Sequence, residues 1–338
     1  MTKKSVYIVY TGGTIGMRQS SRGYIPSPGY LGDAIAQQPE FQSDDLPDIE
    51  FRECGQIIDS SNITPEYWNL IAEDIRANYD KHDGFVILHG TDTMAYSASA
   101  LSFILEDLAK PVIFTGSQIP FEQVRSDARD NLIGAIQLAV NPDLNEVFVY
   151  FHHELFRGNR TTKTDSSGFA AFESPNYDAL ARVGIDVKIN HKFLLPKPES
   201  QLTLAPLEKP AEVGTVQIFP GITGRLLRNY LQQPVRGLVL MTYGSGNIPS
   251  NDKQLVEEIK SACERGIIVV NCTQCLSGTV NMSTYETGSI LMDAGVVNAG
   301  DMTIEACVTK LSWLLSRYDN PEHIRELMAT SLRGEISL

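Results

Sequence analysis

Residues 10–16 read YTGGTIG and follow a short apolar run, so a hydroxyl, Thr14, stands inside a glycine-rich turn after a strand. A strand entering such a turn suggests a phosphate cradle, but the pattern fails at residues that carry mechanism. A Walker A loop needs Lys then Ser or Thr after its last glycine, and here Met17-Arg18 follow Gly16. A dinucleotide fingerprint needs Gly at its first position, and here Thr11 stands there. A threonine hydroxyl held in a tight turn can instead attack a carbonyl if a base takes its proton. There is no G-x-S-x-G elbow and no obvious Ser/His/Asp set. The histidines are His82, His89, His152, His153, His191 and His323, and His89 ends an apolar run, where a satisfied core residue is the ordinary reading. Lys and Tyr remain as proton carriers. No HExxH or clustered carboxylates suggest a metal, and no cofactor is expected. Cys272-Thr-Gln-Cys275 is a lone CxxC without a second ligand pair or a thioredoxin-like context, so it reads as small residues at a strand end.

The elements that would position Thr14 are legible as patterns. Val6–Tyr10, Phe85–Leu88, Val112–Phe114, Val147–Phe151, Val213–Phe219, Gly237–Met241 and Ile267–Asn271 are near-continuous apolar runs, as in strands buried on both faces of a parallel sheet. Thr64-Pro65 signals a helix start, with Trp68, Ile71, Ala72, Ile75 and Tyr79 in helical period. Asn251 is the expected cap of a second helix, ended by Gly266, and Thr303 to Ser316 is a third. Five strand ends are rich in Thr, Ser, Asn, Gln and Gly: TGGTIG, HGTDTM, TGSQIP, TYGSGN and NCTQCLSG. Ligands of open α/β sheets bind beyond the carboxyl ends of the strands, so these turns point to a site for a small polar molecule.

The length, 338 residues, favours about two domains. Residues 194–212 hold four prolines and read as a linker, giving an N-terminal α/β domain at 1–193 and a C-terminal α/β domain at 213–338. A net charge of -13 without a basic cluster argues against nucleic acid. Five cysteines suit a reduced, cytoplasmic chain. The run after Lys3-Lys4 is too short for a leader, and no apolar stretch approaches the ~20 residues of a membrane span.

YTGGTIG, LHGTDTM about 75 residues later, TGSQIP and RGNRTTK, in this order, resemble the bacterial-type L-asparaginases and, within them, the cytosolic type I enzyme. The resemblance covers essentially the whole chain. It implies two α/β domains, a larger N-terminal one with a mostly parallel sheet flanked by helices and a smaller Rossmann-like C-terminal one. It implies hydrolysis of L-asparagine to L-aspartate and ammonia. Thr14 matches the threonine usually taken as nucleophile, and Tyr24 the tyrosine hydrogen-bonded to it. Thr91, Asp92 and Lys163 match a second set that orients and polarises a hydroxyl. Asp59, Ser60 and Ser61 match the loop that grips the substrate's carboxylate and amino groups, as does Asp92. Asn247 matches a residue contributed across a subunit boundary of a homotetramer built as a dimer of dimers. Asn62 departs from the Asp common after the serine pair.

The implied chemistry is coherent. A zwitterionic amino acid needs an acid for its ammonium, here Asp92, and donors for its carboxylate, here Ser60, Ser61 and the backbone. The Thr91 N–H can hold an oxyanion, and a Lys163 that gives up its proton can serve as base. Residues 17–30 are expected to close over substrate. A glutaminase-asparaginase differs by one methylene, worth about 1–3 kcal/mol in a pocket. A transamidation subunit acting on tRNA shares the motifs but sits poorly with the acidic charge. A non-catalytic sensor would bind without product.

Overall fold

The computed structural model describes residues 3–21, 23–283 and 286–337, and the chain divides into two compact units, Met1–Ala205 and Pro206–Leu338. Unit 1 opens on β1 (Ser5–Gly12), a hairpin of β2 (Met17–Ser20) and β3 (Gly23–Pro26), α1 (Tyr30–Ala36) and β4 (Asp48–Ile58). Then come α2 (Pro65–Asn78), β5 (Gly84–Leu88), α3 (Met94–Ile104), β6 (Leu105–Glu106), β7 (Val112–Thr115), α4 (Ala128–Ala139) and β8 (Val147–Phe151). The unit closes with β9 (Glu154–Arg157), β10 (Thr162–Lys163), β11 (Phe172–Glu173), β12 (Ala181–Val183), β13 (Val187–Ile189) and β14 (Thr203–Leu204).

Its main sheet runs β13-β12-β9-β8-β7-β5-β1-β4. The five strands from β8 to β4 are parallel, and β9, β12 and β13 continue antiparallel. β5 and β8 are buried at every position, which explains their uninterrupted apolar sequence. Val6, Ile8 and Tyr10 on one face pack with Leu132 and Ile136 of α4 in one continuous core. Each such side chain contributes about 1.5–3 kcal/mol by leaving water. β1 connects to β4 on one side, and the chain then crosses to β5 on the other. This is the point where strand order reverses, the place at the strands' carboxyl ends where open α/β sheets bind ligands.

Unit 2 alternates β15 (Val213–Gln217), α5 (Gly224–Tyr230), β16 (Gly237–Thr242), α6 (Lys253–Glu264), β17 (Ile268–Thr273), α7 (Glu286–Asp293) and β18 (Val297–Asn298), then adds α8 (Ile304–Arg317) and α9 (Pro321–Ala329). Its four-stranded sheet is parallel throughout, in the order β15-β16-β17-β18. The fold is therefore the expected one, two α/β sheets of unequal size.

Helix ends follow local chemistry, with two departures from expectation. Thr64 precedes α2, but its hydroxyl bonds Glu66 Oε2 at 2.5 Å and caps no backbone N–H. The cap of α6 is Asp252, one residue after Asn251: Asp252 Oδ1 accepts from Leu255 N–H at 3.1 Å, the third helical position that a cap side chain can reach. Thr303 caps α8 through Ala306 N–H as its sequence suggests. Within the proline-rich stretch 194–212, Thr203 and Leu204 pair with β6, while Lys209 reaches Asp319 in unit 2.

Candidate active site

The sheet order sets four turns side by side, those that follow β4, β1, β5 and β7. After β1, Gly12 and Gly13 have φ of +125° and +92°, a left-handed region that glycine enters without strain. A Cβ on Gly13 would lie 2.4 Å from the Gly90 backbone, and one on Gly90 2.4 Å from Ser60 Oγ. The turns carrying Thr14 and Thr91 thus meet backbone to backbone, and the Ser60 side chain lies against Gly90, at distances only glycine allows. The turn after β7 is tied in as well, since Phe121 N–H donates to the Ile15 carbonyl at 3.0 Å. Of the five polar strand ends, three lie here and two, after β16 and β17, lie in unit 2. There they bond one another: Thr242 Oγ1 to Asn271 Oδ1 at 2.7 Å and Thr273 Oγ1 to the Gly244 carbonyl at 2.6 Å.

Thr91, Asp92 and Lys163 come together although 71 or more residues separate Lys163 from the other two. Lys163 Nζ donates to Thr91 Oγ1 at 2.9 Å and to Asp92 Oδ1 at 2.7 Å. Thr91 is buried, the Lys163 side chain is 19% exposed, and the Asp92 side chain is 64% exposed. The lysine is thus mostly shielded while its carboxylate partner faces water. Asp92 caps no helix, and Thr93 precedes α3 with its hydroxyl on the Ser60 carbonyl at 2.8 Å. The Thr91 hydroxyl passes its own proton on to Gln118 Oε1 at 3.2 Å.

Thr14 is partly buried in the first turn, and among the described residues no hydrogen bond occupies its side-chain hydroxyl. Ser60 is buried, Asp59 and Ser61 are exposed, and Asp59 Oδ1 accepts from Ser61 N–H at 3.1 Å. Tyr24 lies on β3, 46% exposed, paired in the hairpin with Gln19 and without a hydrogen bond to Thr14. Asn247 belongs to unit 2, where its backbone exchanges two hydrogen bonds with Tyr243 in the turn after β16. Arg157 and Arg160, neighbours of Lys163 in sequence, form no solvated patch with it. Both are buried, and Arg157 pairs with Glu146 and stacks on Tyr177. The CxxC cysteines are apart in character, Cys272 buried and Cys275 exposed, and both are free thiols. Among the described residues no group of three His, Cys, Asp or Glu side chains converges as for a metal ion.

His89 is a satisfied core residue with one tautomer. Its Nδ1 lies 2.7 Å from the Gly90 carbonyl, which only accepts, so Nδ1 carries the proton. Nε2 then accepts from Ser97 at 2.9 Å, and Ser97 accepts from Trp68 Nε1–H at 3.0 Å. Burial pushes the His89 pKa down to about 4 against the Gly90 bond. The imidazole therefore stays neutral near pH 7 and buttresses the turn that carries Thr91. Since the unfolded histidine titrates near 6.5, the unfolded chain binds an extra proton between that value and the folded pKa. Stability is expected to fall as pH drops through this window, by about 3 kcal/mol from this group at its end. Urea midpoints at pH 7 and pH 5 check this against His89→Gln, which should lose less on acidification; equal losses would contradict it.

The sequence motifs predict the three turns of β1, β5 and β7 but not what holds them. Gln118 sits in TGSQIP and Asp127 just beyond it, but no local pattern marks what either side chain bonds. Asp127 accepts from the Gln118 and Ile119 N–H groups and from Asn131, fixing that turn from α4's start.

Comparison with known proteins agrees with this architecture. The family described as "Asparaginase, N-terminal" matches residues 5–195, and "Glutaminase/Asparaginase C-terminal domain" matches residues 212–328. The chain is 51% identical over 337 residues to L-asparaginase 1 of Escherichia coli (strain K12), covering 100% of this chain and 99% of that one. It resembles the crystal structure of L-asparaginase I from Vibrio cholerae O1 biovar eltor with a TM-score of 0.93 and 47% identity, over 100% of both chains. The thermostable L-asparaginase from Thermococcus kodakarensis gives a TM-score of 0.90 and 34% identity, over 98% of this chain and 99% of that one. With matching models along both units and a relative identical at half its positions, this chain belongs to the asparaginase family.

Proposed function

We propose that the protein hydrolyses L-asparagine to L-aspartate and ammonia, with Thr14 as nucleophile and Thr91, Lys163 and Asp92 as the set that handles protons. The observation that carries this reading is the meeting of three hydroxyl-bearing turns at Gly13 and Gly90, with Lys163 bonded to Thr91 and Asp92 beside them. The exposed Asp92 carboxylate suits a substrate ammonium, and the Asp59-Ser60-Ser61 turn suits its α-carboxylate. Thr14 Oγ bonds to the side-chain amide carbon as its proton leaves. The tetrahedral oxyanion is met by the Thr91 N–H. The C–N bond then breaks, ammonia departs with the added proton, and an aspartyl ester remains on Thr14. Water, giving its proton to the same set, attacks the ester and releases L-aspartate. In this reading Tyr24, exposed on the hairpin β2–β3, reaches Thr14 when that hairpin closes over substrate.

The homologous activity supports asparagine as the amide, since the relative identical at 51% is named an asparaginase. Among the described residues no helix is long and apolar enough to cross a membrane, and the five free cysteines fit a reducing cytoplasm. The working assembly in this reading is a homotetramer, a dimer of dimers, in which Asn247 completes a neighbouring subunit's site. Dilution is then expected to remove activity in step with assembly. Sedimentation analysis beside ammonia release tests this, and an active monomer contradicts it. The reaction itself is tested by ammonia release from L-asparagine and L-glutamine: asparagine alone supports the reading, and equal rates move it to a glutaminase-asparaginase.

A further inference from the structure

The carboxamide of Gln118 has both ends assigned by its neighbours. Its Nε2 donates to the Gly168 carbonyl at 2.9 Å, and a carbonyl only accepts, so the amide nitrogen must face that way. Its Oε1 therefore faces Thr91 and must receive the Thr91 proton, at 3.2 Å. A hydroxyl has one proton. With that proton on Gln118, Thr91 Oγ1 meets Lys163 Nζ as an acceptor, at 2.9 Å. The backbone beneath is fixed too, since Asp127 holds the Gln118 N–H with both carboxylate oxygens, at 3.1 and 3.0 Å. Asp165 holds the other end, accepting from the Ser167 and Gly168 N–H groups at 2.7 and 3.0 Å.

We propose that Gln118 is the positioning residue that sets the direction of the Lys163–Thr91 hydrogen bond, and that it does so by joining Thr91 to the loop at residues 164–171. The inference rests on the reaction assigned above and deepens it. The proton order runs from Lys163 N–H to Thr91 and from Thr91 O–H to Gln118. An acceptor at Gln118 thus keeps the Thr91 lone pair, not its proton, turned toward the lysine. Without that acceptor the Thr91 proton can rotate toward Lys163, and the two groups then compete for the geometry that catalysis uses. Gln118 touches neither substrate nor reacting atoms in this account; it acts through Thr91.

The charged groups around the carboxamide are Lys163 and Asp92 on the Thr91 side, Asp127 beneath its backbone and Asp165 on the Gly168 loop. This makes Gln118→Glu informative. An ionised carboxyl there cannot donate to Gly168 and adds a negative charge. A protonated carboxyl reproduces the amide, its O–H donating to Gly168 and its C=O accepting from Thr91. Free glutamate titrates near 4.3, and partial burial raises that value. Gln118→Met keeps the length and offers neither bond.

Three measurements test the proposal together. First, kcat for L-asparagine is expected to fall by roughly 10- to 100-fold in Gln118→Met, with KM within about twofold, as misplacement of a catalytic group costs. Second, the ratio of Gln118→Glu to wild-type activity is expected to rise as pH falls, while the Gln118→Met ratio stays flat. A wild-type kcat in Gln118→Met, or a flat ratio for Gln118→Glu, overturns the proposal. Third, amide hydrogen exchange at residues 164–171 is expected to quicken in Gln118→Met and not elsewhere; unchanged exchange overturns the tie whatever the activity. An inactive wild type with quickened exchange in the variant contradicts the assigned reaction and supports the tie.

Discussion

Thr14→Ala is expected to lower kcat for L-asparagine on the order of 10³-fold or more, with KM changed only a few-fold. The hydroxyl sits partly buried in a turn built from two glycines in left-handed backbone, against Gly90. Its neighbours in that turn, Ile15 and Gly16, are buried, so trimming the partly buried Thr14 by its hydroxyl and γ-methyl leaves their packing in place. The loss then falls on the covalent step, because an alanine cannot form the ester. Residual rate would come from substrate held beside Thr91 and Lys163, the part of catalysis that survives loss of a nucleophile. Thr14→Ser keeps the hydroxyl and should keep most of the activity. Steady-state rates on both variants check this, with circular dichroism showing that each is folded. Near-normal turnover in Thr14→Ala would end the assignment of Thr14 as nucleophile.

The largest expected effect on stability comes from unit 2. Lys310 on α8 and Glu335 near the chain's end form an ion pair at 2.5 Å, with both side chains fully buried. Lys310 also donates to the Met328 and Thr330 carbonyls, while Glu335 accepts from the Leu332 and Arg333 N–H groups. Burial pushes the Lys310 pKa down, against the pull of Glu335. A pair so deep has lost its hydration, so its net gain over apolar residues is small, but breaking it strands a charge. Lys310→Met is therefore expected to destabilise by about 3–5 kcal/mol. Lys310→Met with Glu335→Gln should recover more than half of that loss, because the glutamine carbonyl still accepts from the backbone and no charge is left. Urea unfolding followed by a unit 2 probe measures both. A double variant no more stable than the single one would show that the cost is lost packing rather than an unpaired carboxylate.

The buried parallel strands were legible because burial on both faces demands unbroken apolar sequence, as in Phe85–Leu88 and Val147–Phe151. β4 was not, for a physical reason. It is an edge strand with partly exposed faces, so Glu50, Arg52 and Glu53 interrupt any apolar run. Asp59-Ser60-Ser61 therefore carries no local sign of being a strand-end turn, although it follows β4 beside the turn that carries Thr14. The hairpin β2–β3 reads as a flexible segment because Arg18, Gln19, Tyr24 and Ile25 are solvent-facing on both strands.

Thr14 and the HGTDTM turn stood out locally. The partnership of Lys163 with Thr91 did not, since no local pattern spans 72 residues. It was reachable only through resemblance to a family. Resemblance in turn said nothing of the Trp68–Ser97–His89 chain or of Gln118, whose roles depend on which atom of each side chain faces which carbonyl.

The central claim is that an aspartyl ester forms on Thr14. The most direct test is to mix the enzyme with L-asparagine, quench with acid within milliseconds, digest, and locate the adduct by mass spectrometry. The account predicts an aspartyl group on the peptide holding Thr14, formed at a rate that matches the first release of ammonia and absent in Thr14→Ala. An adduct on Thr91 instead, or ammonia released in a burst by Thr14→Ala, would contradict it.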